Sequence, residues 1–271
     1  MAEAGSPTIR SFVALGDSFT EGLDDLRPDG TFRGWADLLA GELAAALPEP
    51  THFRYANLAV RGKKMPQIVD EQVPRALSLH PDLVSFVGGV NDVLRPTFSI
   101  EEFTEQLNTS VAAFRAAGIE VLLLIGANPA ASANRMIGMM SGRLSALNAA
   151  VAAAAQEHDC FAADLTHVSL FEDSRLWAAD RLHLSTLGHL RISGAFGQAL
   201  GLNDDAWQEP LPSCGSPSLP ERATNNAVWV GKYLAPWFAR RLMGRSSGDG
   251  RVAKLPQFTQ ITPESSAVPS G

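Results

Sequence analysis

Residues 12–22 read Phe-Val-Ala-Leu-Gly-Asp-Ser-Phe-Thr-Glu-Gly, so an apolar run leads directly into a polar turn that carries a serine. The chain contains five apolar runs of this kind, at residues 11–15, 54–58, 82–87, 120–126 and 159–163. Short runs that are apolar throughout, rather than at alternate positions, are typical of strands buried on both faces of a parallel sheet. We therefore predict a strand at each of them.

Longer segments with helical spacing separate these runs, at residues 34–47, 66–79, 100–117, 140–157 and 186–200. Strands that alternate with helices predict an α/β fold, a three-layer αβα sandwich with a central five-stranded parallel sheet. Ligands of such sheets bind outside the carboxyl ends of the strands. Because Ser18, Gly62 and Asn91 each follow a predicted strand, we expect them to converge on one rim.

Four short segments in a fixed order carry the chemistry: Gly16-Asp17-Ser18, Asn57 to Gly62, Gly89-Val90-Asn91-Asp92 and Asp180-Arg181-Leu182-His183. Alone, each has a plain structural explanation. Gly-Asp-Ser is a common turn, Asn91-Asp92 is able to cap a helix, and a single histidine is usually a packing or surface residue. Together they supply a nucleophile, oxyanion donors and an acid–base pair, which are the parts that serine catalysis needs.

This order of motifs resembles the SGNH/GDSL hydrolases, and the resemblance extends from Phe12 to Leu187. It implies a flavodoxin-like fold and a reaction that needs no cofactor. One departure is Ala59, where many relatives carry glycine, and it makes that turn tighter. The roles that the resemblance implies are Ser18 as nucleophile, His183 as base, Asp180 as the acid that orients His183, and Ser18, Gly62 and Asn91 as oxyanion donors.

The predicted activity is hydrolysis of carboxylic esters, with short acyl groups, through an acyl-enzyme on Ser18. An acyltransferase or a carbohydrate O-deacetylase would use the same site, and a non-enzymatic binding module is the alternative outside catalysis. Arg61 and Arg95 flank the oxyanion loops and would bind an anionic leaving group or form surface ion pairs. Three methionines, which would line an acyl pocket or fill the core, are Met136, Met139 and Met140.

Metal and nucleotide chemistry have little support in the sequence. His183 and His189 are six residues apart, a spacing that does not place both on one face of a helix, and no third histidine or cysteine joins them. We therefore predict no metal site, and expect His189 on the solvent side or packed in the last helix. Neither G-x-G-x-x-G nor a P-loop follows the first strand, and Cys160 and Cys214 have no metal-binding spacing.

Composition is that of an ordinary globular protein, with 271 residues of which 45% are hydrophobic. The first residues lack the basic flank and apolar run of a secretory signal, so we expect a cytoplasmic protein. The expected organisation is a flexible amino terminus at residues 1–9, a hydrolase domain at 10–203, a linker at 204–222, a basic aromatic segment at 223–246 and a disordered tail at 247–271.

Charge is unevenly distributed, because residues 222–254 carry a net charge of +6 and residues 1–221 a net charge of −12. The basic segment would touch an anionic membrane or nucleic acid, or it would pack on the acidic main domain through Trp229, Trp237 and Phe238. We favour packing. The expected partner is a small-molecule ester, with no nucleic acid and no stable membrane anchor; peripheral membrane contact and the oligomeric state stay open.

Overall fold

A central sheet organises the protein in a computed structural model that describes residues 8–49, 52–126, 140–213, 226, 228–234 and 248–261. Its strands are β1 (Ser11–Gly16), β2 (Arg54–Asn57), β3 (Leu83–Val87), β4 (Glu120–Ile125), β5 (Phe161–Asp164) and β6 (Leu255–Gln260). They lie in the order β5-β4-β3-β1-β2-β6. Strands β1 to β5 are parallel, and β6 pairs antiparallel with β2.

The order of the strands creates a natural place for a binding site. The chain goes from β1 to β2 on one side and then crosses to β3 on the other side of β1. The connection that follows β1 leads to β2 on one side, and the connection that follows β3 leads to β4 on the other side. Their divergence opens a crevice at the carboxyl ends of β1 and β3. The Gly-Asp-Ser turn follows β1 and the Gly-Val-Asn-Asp segment follows β3, so both lie at this switch point.

Helices cover both faces of the sheet. They are α1 (Ser18–Glu21), α2 (Trp35–Ala45), α3 (Met65–Gln67), α4 (Val73–Leu79), α5 (Val90–Val93), α6 (Ile100–Ala116), α7 (Ser141–Glu157) and α8 (Thr186–Ala199), with a π-helical turn at Ile68–Gln72 between α3 and α4. None of the helices in the described ranges is both long enough and apolar enough to cross a bilayer.

Two apolar clusters hold the layers together, one on each face of the sheet. On one face, α2 and α8 pack together, and the rings of Trp35 and Phe196 lie 4.4 Å apart. On the other face, side chains of α6 and α7, including Phe103 and Leu147, pack against β3 and β4. Because both faces of the sheet are buried, the central strands β1, β3 and β4 are mostly apolar on both faces, which explains why their sequences do not alternate.

The α/β sandwich and its five parallel strands are confirmed, but within the described residues the sheet has six strands rather than five. The sixth lies at residues 255–260, which the sequence analysis assigns to a disordered tail, so that assignment is wrong for these residues. Because β6 is an edge strand, its side chains are partly or fully exposed, and its sequence, Leu-Pro-Gln-Phe-Thr-Gln, includes three polar residues. An edge strand also tolerates Pro256, since one row of its N–H positions faces no partner strand.

A buried ion pair anchors the chain just before β6. Lys254 Nζ lies 2.7 Å from Asp37 Oδ1 and donates to Phe32 O at 3.1 Å. Asp37 also accepts a hydrogen bond from Tyr55 and forms an ion pair with Arg27. The carboxyl-terminal residues 248–261 are therefore joined to the main domain by a strand pairing and by a charged side chain.

Candidate active site

The turn that carries Ser18 is fixed by a close approach of two strand ends. Gly16 has a φ of 151°, and a Cβ at this position would collide with Val87 O of β3. Gln72 holds both backbone groups of Gly16, accepting from its N–H at 2.8 Å and donating to its carbonyl at 2.9 Å. The chain then turns through Asp17, and Ser18 begins α1 at the rim of the sheet.

Asp17 connects this turn to the loop after β3. Its Oδ1 accepts from Phe19 N at 3.1 Å, which caps α1, and its Oδ2 accepts from Asn91 Nδ2 at 2.8 Å. The side chain is almost completely enclosed, and burial raises the pKa of Asp17 to about 6. A buried carboxylate thus fixes the distance between the predicted nucleophile and a predicted oxyanion donor.

Asn91 bridges three loops. Besides Asp17, its Nδ2 donates to Lys63 O at 3.1 Å, in the loop after β2. The side chain of Asn91 does not cap α5, which is the alternative role for it. The N-cap of that helix is Gly89, and no side chain caps it. Gly62, the other predicted donor from this loop, has a φ of 76° and directly precedes Lys63, so its turn lies beside Asn91.

The Asp180 to His183 segment forms a tight turn that fixes the imidazole. Asp180 Oδ2 lies 2.6 Å from His183 Nδ1, while Oδ1 accepts from Leu182 N at 2.9 Å and from His183 N at 3.0 Å. Arg181, between them, has a φ of 57°. Since an ionised carboxylate only accepts, Nδ1 carries the hydrogen and Nε2 is the basic nitrogen of the neutral ring.

A second carboxylate, Asp24, faces the same imidazole, and sequence reasoning missed it. Its Oδ2 lies 3.4 Å from His183 Nδ1. Burial lowers the pKa of His183, but the hydrogen bonds and negative charges of Asp180 and Asp24 outweigh burial and raise it to about 9. Asp24 lies six residues after Ser18 and has a φ of 68°. The conformation of this loop brings its carboxylate to His183, and no spacing of residues in the sequence indicates that contact.

These three groups are also the candidates for binding a cation. Their ligand atoms, from Asp24, Asp180 and His183, lie within 4.8 Å of one another. However, His183 Nδ1 already faces the Asp180 carboxylate as a hydrogen-bond donor, and a nitrogen that carries a hydrogen does not bind a metal. The arrangement fits an acid–base pair, and we assign no metal to it.

His189 is a structural residue rather than a second base. It is 1% exposed, so of the two expectations for it packing in the last helix is correct. Its Nδ1 accepts from Trp35 N at 3.2 Å and its Nε2 donates to Leu23 O at 3.0 Å. Burial lowers the pKa of His189 to about 4, so the ring is neutral and supports the loop that carries Asp24.

One cavity brings the predicted reactive groups together. Ser18, Asn91 and His183 all line it, with Asp180 behind His183, and it encloses about 80 Å³. Gly62 is not among the residues that line it. Ser18, Asn91 and His183, which the sequence predicts as nucleophile, oxyanion donor and base, therefore line one cavity although they are far apart along the chain.

The predicted substrate-binding residues have different environments. Arg61 forms an ion pair with Glu21, and its guanidinium lies 4.9 Å from the ring centre of Phe32. The pair is largely buried, whereas the alternative expects a surface ion pair. Arg95 lines a second cavity of about 250 Å³ beside the first, together with Lys64. Met140 packs against the core, as the filler alternative expects. Met136 and Met139 lie outside the described residues.

Residues near the carboxyl terminus contact both sides of the site. Trp229 Nε1 donates to Asp180 O at 2.7 Å, and the Arg181 guanidinium lies 5.2 Å from the centre of its ring system. Gly248 packs so closely on Arg61 O that a Cβ there would collide with it. Packing of the whole segment 223–246 stays a prediction, because Trp237 and Phe238 lie outside the described residues.

Comparison with protein families identifies the chain. The model of the GDSL-like Lipase/Acylhydrolase family matches residues 14–191, from β1 into α8. This chain belongs to that family. The match includes all four motif segments, and the family indicates a carboxylic ester hydrolase that acts on a small molecule. A comparison with curated proteins finds no match.

Solved structures agree with this GDSL fold. LAE5, an alpha/beta hydrolase from the metagenome of Lake Arreo in Spain, superposes with a TM-score of 0.60 at 24% identity, over 72% of this chain and 97% of that one. A variant of Axe2, an acetyl xylan esterase from Geobacillus stearothermophilus, gives 0.61 at 20% identity, over 73% and 99%. At such identities the likeness establishes the fold.

The two carboxylates on His183 predict an unusually basic imidazole. An NMR titration should give His183 a pKa of about 9, against an ordinary value of 6.5, while buried His189 should stay neutral down to about pH 4. Asp24→Asn removes one negative charge and should lower the pKa of His183. Titration of His183 near its ordinary value, unchanged by Asp24→Asn, would contradict this description of the site.

Proposed function

We propose that the protein is a serine esterase that forms an acyl-enzyme on Ser18. The observation that carries the proposal is the cavity at the carboxyl ends of β1 and β3, which Ser18, Asn91 and His183 line together, with His183 Nδ1 at 2.6 Å from Asp180. Candidates for the nucleophile, the base and the orienting acid are thus near one another, which supports the assignment of a serine triad. The GDSL family match supports the same activity.

In the first half-reaction, Ser18 Oγ attacks the ester carbonyl while His183 Nε2 accepts its proton. Asp180 holds the ring and stabilises the imidazolium. The oxyanion forms against the backbone N–H groups of Ser18 and Gly62 and the amide of Asn91. Since both hydrogens of Asn91 Nδ2 are engaged, we propose that the longer bond, to Lys63 O, is the one given up or shared.

The collapse of the tetrahedral intermediate breaks the bond to the alcohol, which leaves with the proton from His183. In the second half-reaction water attacks the acyl group, His183 accepts a proton from this water, and Ser18 is released with its own proton restored. Because the base must be neutral, kcat/KM should rise with pH toward the raised pKa of His183.

For the substrate we propose carboxylic esters with short acyl groups. Two other reactions would use the same groups, namely transfer of the acyl group to a second alcohol and removal of an O-acetyl group from a carbohydrate. The second resembles the activity in the name of Axe2, to which this chain is similar in fold. Product analysis with and without a polyol acceptor separates hydrolysis from transfer.

The nucleophile is tested by Ser18→Ala. It should lower kcat/KM for p-nitrophenyl butyrate by at least about 1000-fold, because the covalent route is lost. Ser145→Ala is a matched control, since Ser145 is an exposed residue of α7 outside the cavity. Both variants should keep the thermal unfolding midpoint of the unmodified protein. Retention of more than a few per cent of the rate in Ser18→Ala would refute the assignment.

The oxyanion role of Asn91 is tested by Asn91→Ala, which should lower kcat by about 100- to 1000-fold with little change in KM. Asn148→Ala is the control, because Asn148 accepts a hydrogen bond from Gly126 N outside the cavity. It should affect stability without lowering kcat. A normal kcat in Asn91→Ala, together with lower stability, would show that the Asn91 amide only joins the loops.

A further inference from the structure

The cavity at Ser18 extends from the rim of the sheet into the interior of the protein, where residues of β3, β4, α6 and α7 line it. Its inner wall is apolar, and the side chains that form it are at most 6% exposed. They include Phe86, Phe103, Leu107, Leu124, Leu147 and Val151.

The polar residues that line this cavity all belong to the turns and loops of the candidate site. Asp17, Ser18, Asn91 and His183 are at the rim, whereas the interior is lined by aliphatic and aromatic side chains. Two of the wall residues pack directly on Gly89, which follows the end of β3. A Cβ at this position would lie 2.5 Å from Phe103 and 2.7 Å from Leu147. The position of the wall is thus fixed relative to the reactive groups.

An ester bound at Ser18 has an acyl group on one side of the reacting carbonyl and an alcohol on the other, and one of the two would lie in this interior. The alcohol must leave after the first half-reaction, and water must then reach the same carbon. Both steps need an open path beside His183. The acyl group stays attached to Ser18 throughout, so a closed apolar space fits the acyl chain and not the alcohol.

The size of the space limits the length of that chain. An apolar protein cavity of about 150 Å³ holds a benzene ring, which has six carbons. A cavity of about 80 Å³ therefore accepts roughly three to four carbons beyond the ester carbonyl. An acetyl group has only one such carbon, and a chain of twelve carbons would extend well beyond the cavity.

We propose that this cavity is the acyl-binding site and that it selects esters with an apolar acyl chain of about four to six carbons. The inference rests on the proposed function, because it needs Ser18 to be the nucleophile. Burial of one methylene favours binding by about fourfold. Between acetate and hexanoate the preference in kcat/KM is therefore on the order of 100-fold.

The test measures kcat/KM for p-nitrophenyl acetate, butyrate, hexanoate, octanoate and dodecanoate, which share one leaving group. We expect a rise from acetate to butyrate or hexanoate and a fall at octanoate and dodecanoate. Leu147→Phe, which fills the cavity, should reduce the ratio of hexanoate to acetate activity by at least tenfold. Leu107→Ala, which enlarges it, should move the optimum to a longer chain.

Leu144→Phe is the matched control for Leu147→Phe. Leu144 lies on the same helix and is 4% exposed, but it does not line the cavity. This substitution should leave the hexanoate-to-acetate ratio unchanged. If Leu147→Phe does not fold, Val151→Leu adds a smaller volume to the same wall and should shift the ratio in the same direction.

The outcomes separate this inference from the proposed function. Hydrolysis of all the esters at similar rates, or a preference for acetate that Leu147→Phe does not alter, would overturn the inference and leave the esterase in place. Failure of the unmodified protein to hydrolyse any of the esters would overturn both.

Discussion

The buried carboxylate of Asp17 is the interaction on which the candidate site depends. It closes the turn that presents Ser18 and binds Asn91, which is 74 residues further along the chain. The Asn91 amide in turn donates to Lys63 O. The loops after β1, β2 and β3 are therefore joined by one carboxylate and one amide. The carboxylate is buried, and hydrogen bonds to a buried ionised group are among the strongest in proteins. Convergence of the reactive groups is a property of this network and of the strand order together.

The chain beyond the family match contributes to the same region. Trp229 holds the backbone of Asp180, Gly248 packs on Arg61, and Lys254 is enclosed beside Asp37. The first contact is at the turn from Asp180 to His183, the second is at the loop that precedes Gly62, and the third is at α2. The described parts of the carboxyl-terminal region are therefore packed with the hydrolase domain and support the loops that shape the site.

Sequence patterns predicted the parts of the structure whose physical cause is local. Parallel strands buried on both faces are continuous apolar runs, and the motifs at their ends meet because strand ends meet. Strand β6 escaped prediction because a half-exposed edge strand has a polar sequence, and Asp24 because a left-handed loop residue, not a spacing, brings it to His183. The engagement of Arg61 with Glu21 likewise depends on tertiary packing between two loops.

The central claim, that Ser18 is an activated nucleophile, is tested most directly by covalent labelling. A fluorophosphonate reacts with a serine only where a base and oxyanion donors assist the attack. Mass spectrometry of the labelled and digested protein should find one phosphonyl group, on the peptide that contains Ser18, and His183→Ala should strongly slow its formation. A label on another residue, or no label on protein that hydrolyses esters, would contradict the account.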